Sequence, residues 1–412
     1  MGSGAVLVQV CRYMAERLVD AWDRAEASGK AITAAGVVVD SLERAEPLRR
    51  DLDERLVVAS RMVAERCLYG VDMNPLAVEL AKLSIWLVTL AKGRPFGFLD
   101  HNLRCGDSLL GITSIDQLRF LEIKPAPSST LKLFATVIDK AVAEALKLRI
   151  QMRSEPVIDI RDIQAMARLD EKARNALAIV ELAADALMGD VLRSTSATLD
   201  VASLSIDVGE AIAGKKDNAA TLRRLASDGL NADLPPGKSR RRPLHWPLAF
   251  PEVFNAARGG FDAFVGNPPF VGGQMLSGGM GSAYHRYLCD HLTYADPASV
   301  DLVVYFFLRV YRLMRGPGYL GLLARRTVAE GRNREVGLAT LAKAGATIYA
   351  ANTNIVWPGA AAIVVHQIHL ATMSWKGKLN LNGLPVEYIA PDLTNSKMIE
   401  VRRLGENRGR MF

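Results

Sequence analysis

Cys67-Leu68-Tyr69-Gly70-Val71-Asp72-Met73-Asn74-Pro75 is the stretch on which the fold turns. Its first six residues are a short run that ends on an acid, the pattern of a buried strand. Asn74 and Pro75 then supply a cap and a first-turn residue. Leu76 to Ala91 continues as an apolar helix that keeps only Glu79, Lys82 and Thr89 on a narrow polar stripe, so most of its surface is expected to be buried. Strand, turn and buried helix in this order make one βα unit of a parallel sheet.

Working outward, Val6, Val10, Tyr13, Met14, Leu18, Ala21 and Trp22 recur at helical spacing and predict a helix over 5–27, with a more charged one over 49–66. Asn102 to Cys105 reads as a second short strand, closed by Gly106-Asp107-Ser108. From 124 to 242 the pattern changes to Ala-rich helical periods (131–152, 160–187 and 201–212) with no strand signal, and Pro235-Pro236-Gly237-Lys238 ends it. This is a helical insertion. Strand signals resume at Phe261 to Val265 and Tyr319 to Leu323, with a helix over 300–314 between them and a later strand pair around 346–349 and 361–370. The expected class is α/β, divided at 1–123, 124–242, 243–375 and 376–412.

Composition narrows the field. A chain of 412 residues, 50% apolar and 23% charged, is globular and long enough for two or three domains. Its four cysteines, at 11, 67, 105 and 289, form no CxxC pair, which excludes a disulfide framework and a Cys-based zinc site and points to a reducing, cytoplasmic compartment. Glu79 and Lys82 interrupt the most apolar stretch, so no membrane-spanning helix is expected. Arg12, Glu16 and Arg17 break the N-terminal apolar run too early for a signal peptide, and Val6 stands where myristoylation needs Ser or Thr. The net charge of +7 gathers in three clusters: Lys238 with Arg240, Arg241 and Arg242; Arg325 and Arg326 with Arg332 and Arg334; and Arg402, Arg403, Arg408 and Arg410. Each reads equally as a solvated face or as a polyanion contact. His366 and His369 are three apart on a strand, hence on opposite faces, and no metal is expected.

The chemistry concentrates in Gly266-Asn267-Pro268-Pro269-Phe270, directly after a strand. Two prolines remove two backbone donors and fix two φ angles, leaving a rigid loop with free carbonyl oxygens. The Asn267 side chain adds an acceptor and Phe270 a stacking face, a set that suits a planar base bearing an exocyclic amine. A plain rigid turn has the same letters. Gly2-Ser3-Gly4 opens a helix as a loop that lets a ligand approach the backbone, although an expression tag leaves the same residues. Asp72 ends its strand where open α/β sheets bind ligands, and an acid there accepts both hydroxyls of a ribose. The glycine loop and the acid are farther apart than the usual spacing of about 20 residues. Asp107, after the next strand, lies where it would accept from an adenine amino group.

Taken together, Gly2-Ser3-Gly4, YGVDMNPLAVELAKLSIWL (69–87), CGDSLLG (105–111), HWPLAFPEVF (245–254) and FDAFVGNPPFVGG (261–273) resemble the amino-methylating DNA methyltransferases that use S-adenosylmethionine. The likeness is greatest to the large adenine-specific (N6) enzymes of fused restriction-modification and phage-exclusion systems. It implies a seven-stranded Rossmann-like sheet, with Gly2, Ser3 and Gly4 at the methionine moiety, Asp72 with Asn74 at the ribose, Asp107 at the cofactor's adenine, and Asn267, Pro268, Pro269 and Phe270 as catalytic loop. Double-stranded DNA is the implied partner, with Arg240, Arg241, Arg325 and Arg326 as phosphate contacts, and a nuclease or specificity domain is fused or separate in such systems. Gly272, Gly273, Gly278, Gly279 and Gly281 read as a flexible lid, or as a plain surface loop. The family's aromatic at this position is often a tyrosine; Phe270 keeps the ring and drops the hydroxyl, which stacking does not need.

Two other readings and one close variant of the first remain open. Protein-glutamine methyltransferases use the same Asn-Pro-Pro-aromatic loop, but the helical insertion and basic clusters count against them; cytosine N4 methylation is disfavoured because that group more often begins its loop with Ser. The third reading is an inactive fragment. The family has a strand before the glycine loop and a target recognition domain after 376–412, so the resemblance implies a chain without its first strand and with only a linker at its end. Unpaired strand edges then predict poor solubility.

Overall fold

A computed structural model describes residues 1–90, 99–154, 159–194, 201–293, 299–357 and 363–396; the basic cluster at 402–410 lies outside them. Helices α1 (Ala5–Ala27) and α2 (Leu52–Arg66) are separated by a small ribbon, β1 (Ala31–Ile32) and β2 (Val38–Val39), and lead into β3 (Gly70–Asp72), α3 (Pro75–Val88) and β4 (Leu103–Cys105). The short α4 (Asp116–Arg119) precedes the helices α5 (Ala135–Ser154), α6 (Ile160–Arg193), α7 (Val201–Ile212) and α8 (Lys216–Leu230), and then the single turn α9 (Trp246–Ala249). There follow β5 (Phe261–Gly266), α10 (Leu276–Met280), α11 (Ser282–Tyr287), α12 (Leu302–Leu313), β6 (Met314–Arg325), α13 (Gly331–Arg334), α14 (Thr340–Lys343), β7 (Thr347–Val356), β8 (Val364–Ala371), β9 (Leu379–Leu381) and β10 (Leu384–Val386).

The βα unit forms as its residues dictate. Asn74 accepts from the Leu76 N–H at 3.0 Å, Pro75 opens α3, and β3 lies parallel to β4 with Gly70 opposite Leu103 and Asp72 opposite Cys105. The other sheet is mixed and six-stranded, in the order β10-β9-β7-β8-β6-β5. Its β5 and β6 are parallel, with Gly266 opposite Leu322, so Asn267 and Arg325 leave the sheet at the same end. Among the described residues no ladder joins the two sheets. What joins them is an aromatic cluster: Tyr69, just before β3, lies edge-on to Phe250 at 5.2 Å and to Phe261 of β5 at 5.4 Å, and Trp246 and Phe264 complete it. Each such pair adds about 0.5–1.5 kcal/mol beyond its buried area.

The insertion is four helices rather than the three expected, since Lys216–Leu230 also folds as α8. It packs on α6 through a glycine pair so close that a Cβ on Gly229 would stand 2.2 Å from the Gly189 carbonyl oxygen. Buried Asp170 of α6 ties this layer to β4, ion-paired with Arg149 at 2.7 Å and with Arg104 at 3.5 Å. His245 anchors it again, with Nε2 3.2 Å from Asp185 of α6.

Two further expectations fail for identifiable reasons. Leu76, Leu80, Leu83 and Leu87 of α3 are exposed, Leu76 to 64%, because only the Val78, Ala81 and Ile85 face packs inward. Residues 379–386, expected within a linker, form a hairpin on the sheet edge, with Asn382 and Gly383 at positive φ in a tight Asn-Gly turn.

Candidate active site

The glycine turn and the first acid meet, although nearly seventy positions separate them. Asp72 Oδ2 accepts from the Gly2 N–H at 2.8 Å and from the Met1 ammonium at 3.0 Å, and Oδ1 accepts from the Asn74 N–H at 2.9 Å. Partial burial pushes this carboxyl up, but the Asn74 and Gly2 N–H groups and the terminal ammonium outweigh it and hold it below the ordinary value. Gly4 caps α1 at φ 90°, and a Cβ there would lie 2.9 Å from the Ala81 Cα of α3, so the turn can sit against α3 only as glycine. Exposed Ser3 contributes its carbonyl, which accepts from the Ser84 hydroxyl at 2.9 Å. Beside this end of β4, a cavity of about 390 Å³ opens between Pro75, Val78, Lys82, Arg104, Cys105 and Arg174.

The second acid is enclosed. Asp107 is 4% exposed; its Oδ1 accepts from the Leu109 N–H at 2.9 Å and the Leu110 N–H at 3.3 Å, and its Oδ2 accepts from the Tyr284 hydroxyl at 2.7 Å. Burial dominates and raises its pKa, against the Tyr284 hydroxyl, the two N–H groups and the more distant Arg309. Tyr287 donates to the Leu109 carbonyl at 3.1 Å, and Arg309 reaches both the Leu109 carbonyl and the Tyr287 hydroxyl. Helices α11 and α12 thus grip the loop that follows β4. Sequence reasoning missed Tyr284, Tyr287 and Arg309, because aromatics three apart on a short helix look like ordinary core.

The proline loop is open. Asn267 is exposed, Pro268 buried, Pro269 exposed and Phe270 half-buried. Among the described residues neither the Asn267 side chain nor the Pro268 carbonyl has a hydrogen-bond partner, whereas the Pro269 carbonyl accepts from the Val271 N–H at 3.2 Å. The loop is pinned just beyond, where the Leu302 N–H donates to the Val271 carbonyl and the Gly273 N–H to Asp301. The following glycines are not a free lid. Gly273 lies against the Val300 carbonyl and Gly281 against the Asp233 carbonyl, each too close for a Cβ, and Gly278 and Gly279 alone of the five have open space around them apart from Gly272's ordinary contact with Asp301.

The basic residues divide. Arg241 is 7% exposed and donates to the carbonyls of Leu230, Ala232 and Met280, so the phosphate role expected of it is corrected: its guanidinium is committed to fastening the insertion's exit to α10. Arg240 is exposed. Arg325 and Arg326 are exposed at the end of β6, Arg326 bridging to Glu330 at 2.9 Å.

The arrangement is therefore an acid at a glycine turn, a second acid under a tyrosine, and an open acceptor loop with a ring at the end of the neighbouring sheet. Residues 66–337 match the family described as Eco57I restriction-modification methylase. This chain belongs to that family. A protein of Methanocaldococcus jannaschii named as a putative type II restriction enzyme and methyltransferase is 23% identical over an alignment of 282 residues that covers 64% of this chain and 22% of that relative. The chain thus spans under a quarter of its curated relative. The solved structure of the type IIL restriction-modification enzyme MmeI in complex with DNA overlaps 86% of this chain and 48% of its own, at 14% identity and a TM-score of 0.30, too low for argument. As a restriction-modification methylase by family, the chain has no helix, among the described residues, long and apolar enough to cross a membrane.

Proposed function

We propose that this restriction-modification methylase transfers a methyl group from S-adenosylmethionine to adenine N6 of double-stranded DNA. The observation that carries the reading is the pair of unpartnered acceptors, the Asn267 side chain and the Pro268 carbonyl, at the end of β5 beside Phe270. The residues at the other strand ends fit the cofactor: Asp72 keeps lone-pair capacity on Oδ1 for a ribose hydroxyl, Asn74 orders the turn beside it, and Gly2, Ser3 and Gly4 bring backbone close to where the methionine moiety would lie. That group supplies an electrophilic methyl on a sulfonium.

The chain's own part is orientation. Adenine N6 is a weak nucleophile because its lone pair is delocalised into the ring. Asn267 and Pro268, each accepting one of its two hydrogens, draw the nitrogen toward tetrahedral geometry and aim the lone pair outward, so positioning and preorganised acceptors lower the barrier together. No base is needed before attack. The target must leave the duplex at a cost of a few kcal/mol, and stacking on Phe270 offsets part of this, about 1–3 kcal/mol for a base on an aromatic ring. Arg240, Arg325 and Arg326 offer phosphate contacts that are indifferent to sequence.

The test is transfer of a tritiated methyl to duplex DNA and, in parallel, to a release-factor protein, followed by nucleoside analysis. Label in N6-methyladenine is expected. Label in N4-methylcytosine or in the protein would replace the reading with one of its alternatives.

A further inference from the structure

We infer that Tyr284 is a positioning residue that leaves one chosen lone pair of Asp107 to the 6-amino group of the cofactor's adenine; this rests on the function proposed above. A carboxylate has about four lone-pair positions. Two on Oδ1 are taken by the Leu109 and Leu110 N–H groups and one on Oδ2 by the Tyr284 hydroxyl, which leaves a single acceptor, on Oδ2.

The tyrosine cannot wander from this task. Its side chain is 1% exposed, and the Arg241 guanidinium lies 5.7 Å from its ring centroid. Arg241 is itself held by three carbonyls, and the first N–H groups of α11 donate to Asp233, that of Ala283 at 3.2 Å. Burial beside Asp107 also raises the phenol pKa well above its ordinary value, so the hydroxyl stays a donor.

A loop-holding role alone does not account for this acid. Capping Leu109 and Leu110 uses only Oδ1, which an asparagine would supply. Among the described residues Asp107 has no ion-pair partner within 4.0 Å; Arg309 and Arg241 act on it only from farther away. A buried charge without a close counter-ion is costly, and what it adds over an amide is acceptor capacity on the second oxygen. One lone pair there is Tyr284's and the other is unspent.

Calorimetric titration compares S-adenosylmethionine with its analogue bearing hydrogen in place of the 6-amino group. The unmutated chain is expected to favour the amino form about tenfold, the scale of one hydrogen bond to a charged acceptor. Tyr284→Phe should reduce that preference to within about threefold while binding the analogue as before. Asp107→Asn turns the Oδ2 position into a donor and should invert the preference toward the 6-oxo analogue, a result that does not depend on Tyr284→Phe folding. A preserved preference in Tyr284→Phe, or an equal loss for both ligands, overturns the positioning role alone. An unmutated chain that binds neither ligand overturns the proposed function and this inference with it.

Discussion

The carboxyl end of β5 and the carboxyl ends of β3 and β4 are opposites in how their polar groups are satisfied. At β5 the Asn267 side chain, which is exposed, and the carbonyl of buried Pro268 have no protein partner among the described residues. At β3 and β4 every oxygen of Asp72 and Asp107 already accepts from the chain's own N–H or O–H groups. The first arrangement keeps its acceptors unpaired; the second already pairs its acceptors with the chain's own donors. A group left bare in a folded protein carries its own desolvation cost on binding, whereas a group already bonded keeps its geometry and offers only its remaining lone pairs. The function proposed above puts chemistry at the first and orientation at the second.

Breaking the open end should therefore have the largest effect. Asn267→Ala removes one of the two acceptors that the proposed function assigns to the reacting nitrogen, and loss of one preorganised group of this kind costs about 10²–10³ in rate. Methyl transfer should fall by at least that much, while cofactor affinity stays within about twofold. A comparable fall in cofactor affinity would dissolve the division between the two ends.

The closed end should respond in affinity instead. Asp72→Asn places an NH₂ donor against the Gly2 N–H and the Met1 ammonium, and cofactor binding should weaken about tenfold, as for the loss of one hydrogen bond to a charged group, with the rate at saturation little changed. The sign of the pH dependence follows from the same contacts. Because the folded carboxyl titrates below its ordinary value, affinity should hold level as the pH falls to the usual carboxylate range and fail only below it. An acid limb above that range in a titration series would show that Asp72 is not the group that matters.

How much of this was legible from the chain depended on whether one segment or two were involved. The strand, cap and helix around Asp72, and the strand before Asn267, are local patterns, and β3, α3 and β5 appear where those patterns lie. What failed was tertiary. The leucines of α3 read as apolar in the same way as Leu302–Leu313, yet α12 is enclosed on nearly every side while Leu76 and Leu87 face outward. Hydrophobicity reports what a helix could bury, not which neighbours it has. Arg241 looked like one more member of a basic run, and only the fold shows that three carbonyls close around it. Tyr284 stands far along the chain from Asp107, and no spacing rule joins them.

Arg325 supplies the smallest expected effect and the sharpest check on what the open end is for. It leaves β6 at the same end as Asn267 leaves β5, is exposed, and among the described residues has no ion pair to give up, unlike Arg326 with Glu330. If the open end meets a polyanion, each phosphate neutralised releases condensed counter-ions, and the slope of log K against log salt changes by about 0.9 for that contact on duplex DNA. Arg325→Ala should therefore weaken binding only a few-fold at moderate salt, equally for unrelated sequences, and flatten the slope by about one. Arg326→Ala should do less, because Glu330 already competes for its guanidinium. An effect of Arg325→Ala that varied with base sequence would move this residue from the phosphates to the bases, and no effect on the slope would turn the DNA path away from the strand end that holds Asn267.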